Sequence, residues 1–108
     1  MDTLTAKDFD GDRLTRPGDW AVCFGADWCR FCMGFRRNHF AKLEGNAPFS
    51  VAWGDVTEME NPLWSKFNLD VVPVLIAFRN GAPVWRKDGV AGVGLVEKDV
   101  VALKEAFR

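Results

Sequence analysis

Two cysteines, Cys29 and Cys32, lie two residues apart between a predicted strand and a predicted helix. The apolar run 20–25 before them is typical of a buried strand, and the residues after them have helical spacing. Cys29 is therefore expected at a helix N-terminus, where unpaired N–H groups and partial positive charge favour a thiolate. Because the second sulfur lies within bonding reach, Cys32 can resolve a mixed disulfide formed on Cys29. The sequence predicts a reactive dithiol.

Paired cysteines at this spacing can also form half of a zinc site, which needs four ligands. The remaining candidates are Cys23, within the predicted strand, and His39, within the predicted helix. Neither supplies the second close pair of ligands that such sites use. We therefore expect no metal and no other cofactor.

The composition favours one small globular domain. The chain has 108 residues, of which 48% are hydrophobic, enough to form a core in a single domain over 1–108. The net charge of −1 gives no electrostatic reason to expect nucleic acid or a membrane surface as a partner. The longest apolar run, 71–78, is far shorter than the roughly 20 residues of a membrane-spanning helix. We expect a monomer.

The cysteines also bear on the compartment. Residues 1–5 lack the basic start and the apolar segment of a signal peptide. Three cysteines without such a segment suggest a reducing compartment, where a Cys-x-x-Cys pair is more often catalytic than structural. We therefore expect a cytoplasmic protein.

Predicted helices and strands alternate along the chain. The patterns predict helices over 5–14, 29–43, 61–67 and 95–107, and strands over 20–25, 49–56, 74–78 and 83–87. Helices between the early strands favour parallel pairing, whereas Asn80-Gly81 is a hairpin signal that favours an antiparallel pair. The predicted fold class is α/β, with a mixed central β-sheet and helices on both faces.

Pro73 lies at the head of the apolar run 71–76, although interior strands do not tolerate proline. Two interpretations stay open. Pro73 either begins the strand, or forms a cis peptide bond with Val72 in the turn before it, since cis bonds are nearly confined to proline.

With these motifs in this order, nearly the whole sequence resembles the thioredoxin family. Residues 4–10 are similar to the family's opening helix, 28–32 to its Trp-Cys-x-x-Cys site, 72–73 to its cis-proline, and 78–81 to its hairpin. The resemblance implies a thioredoxin fold and thiol–disulfide exchange with protein substrates. It also implies that Cys29 is an exposed nucleophile and Cys32 the resolving thiol, with a reductase or glutathione as electron donor.

The resemblance further implies a surface that accepts an extended substrate segment. Gly89 falls where the family has a glycine lining the substrate groove. The candidate substrate-binding residues are Trp28, Arg30, Phe31, Val72, Pro73 and Gly89.

Several positions depart from the family. Arg30 and Phe31 replace the Gly-Pro found between the cysteines of thioredoxins proper, and a cation there should favour the Cys29 thiolate and make the disulfide a stronger oxidant. Cys23 stands where the family has a buried aspartate, and Trp53 where it has that acid's lysine partner. Since acid and base are lost together, neither charge is left buried and unpaired.

Two other functions stay open beside the predicted protein disulfide oxidoreductase. One is a thioredoxin-fold module for binding or redox sensing. The other is a glutaredoxin-like, glutathione-dependent enzyme, because glutaredoxins tend to have Tyr or Phe where this chain has Phe31.

Overall fold

A five-stranded mixed sheet lies at the centre of the computed structural model, which describes all 108 residues. The strands of the chain are β1 (Asp2–Leu4), β2 (Phe9–Asp10), β3 (Arg13–Leu14), β4 (Asp19–Gly25), β5 (Ser50–Asp55), β6 (Val74–Arg79) and β7 (Ala82–Asp88). The sheet order is β1-β5-β4-β6-β7. β5 pairs in parallel with β1 and β4, and β6 pairs antiparallel with β4 and β7, which confirms both predicted kinds of pairing. β1 was not predicted.

Helices cover both faces of the sheet, as predicted. They are α1 (Arg30–Phe35), α2 (Leu63–Lys66) and α3 (Glu97–Ala106). Because side chains alternate along a strand, Ala21 and Cys23 of β4 pack towards α1 and α3, whereas Val22 and Phe24 pack towards α2. None of the helices has the length and apolar character needed to cross a bilayer.

The helix predicted over 5–14 is wrong. Only one 3₁₀ turn forms, Ala6–Asp8, and the chain then folds back as the antiparallel hairpin β2–β3. Gly11 makes this reversal possible because it adopts a φ of +60°, which is costly for other residues. Phe9 and Leu14 are both buried and lie opposite each other in the hairpin.

The helix predicted over 29–43 is confirmed, although it is not α-helical throughout. After α1, the helix continues through a π-helical segment, Arg36–Phe40, and a 3₁₀ turn, Ala41–Leu43. The N–H of Ala41 donates to the Arg36 carbonyl, five residues earlier, and so forms the wide turn of a π-helix. The buried residues of this helix, Cys32, Phe35, Phe40 and Leu43, face the sheet.

The two later helices are shorter than predicted. α2 begins after Asn61, whose side-chain oxygen accepts the Leu63 N–H at 2.9 Å. α3 begins at Glu97, because the Asp99 carboxylate accepts the Val96 N–H at 2.8 Å and caps the helix at that point.

Candidate active site

Strand β4 leads to the two cysteines at the start of α1. Cys29 is the N-cap of α1, and its Sγ accepts the backbone N–H of Cys32 at 3.2 Å. The Cys29 thiol also lies against the Val72 carbonyl, with 3.7 Å between the sulfur and the oxygen. The fold therefore brings the Cys29 sulfur close both to the start of α1, which carries Cys32, and to Val72.

The two thiols differ in exposure less than expected. Cys29 retains 9% of its surface and Cys32 none, so the expectation that Cys29 is openly exposed is wrong. Its Sγ accepts the Cys32 N–H and lies against the Val72 carbonyl. Burial, and next the hydrogen bond with Cys29, raise the pKa of Cys32 to about 12. All three cysteines are free thiols.

Cys29 lines a surface groove with a volume of about 480 Å³. We call this feature the active-site groove. Five predicted substrate-binding residues line it as well: Trp28, Arg30, Phe31, Val72 and Gly89. Cys32 does not line it and lies beneath.

Pro73 is buried directly behind the active-site groove. Its peptide bond with Val72 is cis. The Gly89 N–H donates to the Pro73 carbonyl at 2.8 Å. A Cβ on Gly89 would stand 2.8 Å from that same oxygen, so a side chain cannot be added there without moving the backbone. The glycine thus allows the chain at the end of β7 to pass close to the cis-proline.

Trp28 is held at the groove through the loop after β5. Its indole N–H donates to the Thr57 carbonyl at 3.0 Å, and the Thr57 hydroxyl accepts the Asp27 N–H at 2.9 Å. The hydroxyl in turn donates to the Asp55 carboxylate. The Trp28 ring is therefore fixed, although 57% of its surface is exposed.

Sequence reasoning missed more than half of the groove lining. The additional residues are Met59, Trp64, Asp70, Val71, Val90, Ala91, Gly92 and Gly94. They come from separate segments of the chain, so no local pattern connects them. The one usable signal is the run of small and apolar residues after Gly89.

Beneath the cysteines, Cys23 lies beside Trp53 in the paired strands β4 and β5. Neither residue is appreciably exposed, and burial raises the pKa of the Cys23 thiol well above its usual range. The Arg36 guanidinium stacks over the Trp53 ring, 4.6 Å from its centre. The only buried charged residue of the chain is Asp99, and its carboxylate caps α3. No carboxylate is therefore buried beside Cys32.

The site shows no arrangement of metal ligands. No group of three or more His, Cys, Asp and Glu side chains could hold an ion.

Comparison with known proteins gives structural neighbours only. No family model matches the sequence, and no curated protein matches it. The fold resembles thioredoxin f2 of Chlamydomonas reinhardtii, with a TM-score of 0.77 at 16% identity over 100% of this chain and 96% of that one. It also resembles a mutant thioredoxin of Halobacterium salinarum, with a TM-score of 0.74 at 25% identity over 98% and 88% of the two chains.

A third neighbour is the reduced thioredoxin pre-protein of Schistosoma mansoni, with a TM-score of 0.68 at 25% identity over 85% and 81% of the chains. All three are thioredoxins, and two of them match this chain over almost its whole length. The chain has a thioredoxin fold, with its Cys-Arg-Phe-Cys segment at the start of α1.

Proposed function

We propose that this chain is a protein disulfide oxidoreductase in which Cys29 is the nucleophile and Cys32 the resolving thiol. The observation that carries the proposal is the position of Cys29, which both lines the active-site groove and caps the helix carrying Cys32. The thioredoxin neighbours at 25% identity support a thiol–disulfide oxidoreductase kind of function.

In the reducing direction, the Cys29 thiolate attacks one sulfur of a substrate disulfide. A bond forms between Cys29 and that sulfur, the substrate disulfide breaks, and the leaving sulfur takes a proton. Cys32 then loses its proton and attacks the Cys29 sulfur, which forms the Cys29–Cys32 disulfide and releases the second substrate thiol. Two electrons pass to the substrate, and a reductase or glutathione returns them to the protein.

The geometry helps the first step. The N–H of Cys32 points at Cys29 Sγ, and a hydrogen bond to a sulfur is stronger when that sulfur carries negative charge. The Val72 carbonyl lies against the same sulfur, so a substrate segment that reaches Cys29 passes along Val72.

The second step needs a base. A thiol with a pKa of about 12 is almost entirely protonated at neutral pH, and no buried carboxylate lies beside Cys32 to accept its proton. The thiolate that leaves the substrate, or water, takes this proton. We therefore propose that the attack of Cys32 on the mixed disulfide is the slow step at neutral pH.

The active-site groove is the proposed substrate site. Trp28 is fixed at the groove, Val72 and Gly89 line it as well, and Pro73 lies buried behind it, where its carbonyl accepts the Gly89 N–H. Arg30 supplies a cation to the same groove. A reducing compartment such as the cytoplasm would keep the three free cysteines as thiols.

Insulin reduction driven by dithiothreitol, run beside a glutathione-coupled assay, tests the proposal. We expect insulin reduction by the wild-type chain and none by Cys29→Ser. Activity only in the glutathione-coupled assay would instead indicate a glutaredoxin-like enzyme. Activity in neither assay, with the fold intact by circular dichroism, would indicate a binding or sensing module.

A further inference from the structure

The exposed apolar side chains of this protein are concentrated at one place. Five of the eight large hydrophobic residues that are exposed line the active-site groove: Trp28, Phe31, Met59, Val71 and Val90. A sixth, Val93, lies on the far side of Phe31. The other two, Val84 and Val101, lie away from the groove on β7 and α3. Apolar side chains exposed singly need no explanation, whereas a contiguous group marks a contact surface.

One wall of the groove is a closed turn over residues 90–94. Val90 and Gly94 pair through both of their backbone groups, with N–O distances of 3.0 and 2.7 Å. The Val93 N–H also donates to the Val90 carbonyl at 3.0 Å. The turn therefore holds Val90 and Val93 in place although about half of each is exposed.

Phe31, between the two cysteines, packs directly against this turn. Gly94 has a φ of +77°, and a Cβ there would stand 2.9 Å from the Phe31 Cβ and 3.3 Å from its Cγ. Only a residue without a side chain lets Phe31 lie so close. The contact leaves 41% of Phe31 exposed, beside Cys29 and on the same groove as Val90.

We propose that Phe31 and Val90 form an apolar subsite that selects substrate disulfides whose reacting cysteine has a bulky apolar neighbour. The proposal rests on the proposed function, because the subsite adjoins the sulfur that the substrate must reach. The charged lining residues are one cation, Arg30, and one anion, Asp70, so net charge favours neither sign of substrate. A polar neighbour would lose hydration against Phe31 and Val90 without gaining a hydrogen bond, whereas an apolar one would gain contact.

The first test compares two disulfide peptides that differ only beside the reacting cysteine, with leucine in one and glutamine in the other. Glutamine is comparable to leucine in size but ends in a polar amide in place of the two methyl groups. We expect the wild-type chain to reduce the leucine peptide with a roughly tenfold higher kcat/KM. In Val90→Ser this preference should fall about threefold or more, through a higher KM for the leucine peptide rather than a lower kcat.

Matched controls separate the subsite from general surface effects. Val84→Ser and Val101→Ser change valines of similar exposure, 48% and 56%, away from the groove, and should keep the wild-type preference.

A second pair of variants tests the contact between Phe31 and the turn. Gly94→Ala and Gly45→Ala both place a methyl group at a left-handed position, with φ of +77° and +76°, so they share the backbone strain. Only the methyl of Gly94→Ala meets Phe31, since a Cβ on Gly45 has no atom within 4 Å and Gly45 does not line the groove. We expect Gly94→Ala to lower the leucine preference and Gly45→Ala to retain it.

The outcomes distinguish the two proposals. Equal reduction of both peptides by the wild-type chain would overturn the apolar subsite and leave the oxidoreductase function standing. A preference that survives in both Val90→Ser and Gly94→Ala would also overturn it. If the wild-type chain reduces neither peptide, the proposed function fails and the subsite fails with it.

Discussion

The backbone N–H of Cys32 donates a hydrogen bond to the Sγ of Cys29, 3.2 Å away. Cys29, which lines the groove, therefore caps α1, the helix that carries the buried Cys32. Because the cap fixes the first sulfur relative to the first turn of that helix, the approach of Cys32 to Cys29 is already set in the folded protein.

The two thiols should react with iodoacetamide at different rates. Cys29 lines the groove, whereas Cys32 has no exposed surface and its pKa is raised to about 12, mainly by burial. In the folded, reduced protein at neutral pH, we expect Cys29 to be alkylated at least roughly tenfold faster, since the thiolate is the reactive form. Peptide mapping by mass spectrometry measures both rates. Equal labelling would contradict the division of roles.

Resolution of the mixed disulfide should accelerate with pH. The pKa of Cys32 lies above its ordinary value, so its thiolate fraction rises about tenfold per pH unit from neutral towards that pKa. A mixed disulfide preformed on Cys29 with a chromophoric thiol, followed by stopped flow from about pH 6 to 10, reports this step alone. A rate that is level across that range would show that a base already assists Cys32 at neutral pH.

Cys23 should matter for stability rather than for exchange. Cys23→Ala should keep most of the insulin-reducing activity and lose about 1–2 kcal/mol of unfolding free energy at neutral pH, because it leaves a small cavity. Loss of activity with the fold retained would show that this thiol takes part in the chemistry.

The same thiol should make wild-type stability fall in alkali. Its pKa is raised in the folded state, so the stabilisation is complete below the unfolded pKa of about 8.5 and is lost as pH rises above it. Between about pH 9 and 10, each buried thiol ionises only in the unfolded state, so it should lower the unfolding free energy by about 1.4 kcal/mol per pH unit. Urea unfolding should show a shallower decline for Cys23→Ala than for wild type. Parallel declines would contradict this assignment.

Arg30 should make the disulfide more oxidising. It follows Cys29 directly, lines the groove and forms no ion pair within 4.0 Å. We expect a reduction potential above the roughly −270 mV of thioredoxin, and a decrease on the order of 10–30 mV in Arg30→Gln. Because Arg30 is exposed, that difference should shrink at high salt, where charges are screened. A wild-type potential at or below the thioredoxin value would contradict the idea.

The elements that carry the cysteines could be predicted because their signals are local. The apolar run 20–25 and the helical spacing after Cys29 each specify one element, and Asn80-Gly81 specifies its hairpin. The opening segment was mistaken for a helix because its buried residues, Phe9 and Leu14, face each other across a glycine turn that a helical pattern does not reveal.

The groove was less predictable because it depends on contacts between distant segments. The packing of Phe31 on Gly94 needs a backbone conformation that the sequence suggests only as a run of glycines. Met59 and Val71 reach the groove from separate loops. The low exposure of Cys29 was not predictable either, because it depends on the direction of the side chain, whose Sγ accepts the Cys32 N–H, rather than on the residue type.

Trapping a mixed disulfide tests the central claim most directly. The Cys32→Ser variant, incubated with disulfide-bonded insulin and analysed by mass spectrometry after proteolysis without reductant, should accumulate an adduct joined through Cys29. The matched Cys29→Ser variant should give none. An adduct through Cys32 or Cys23, or equal adduct in both variants, would contradict the account.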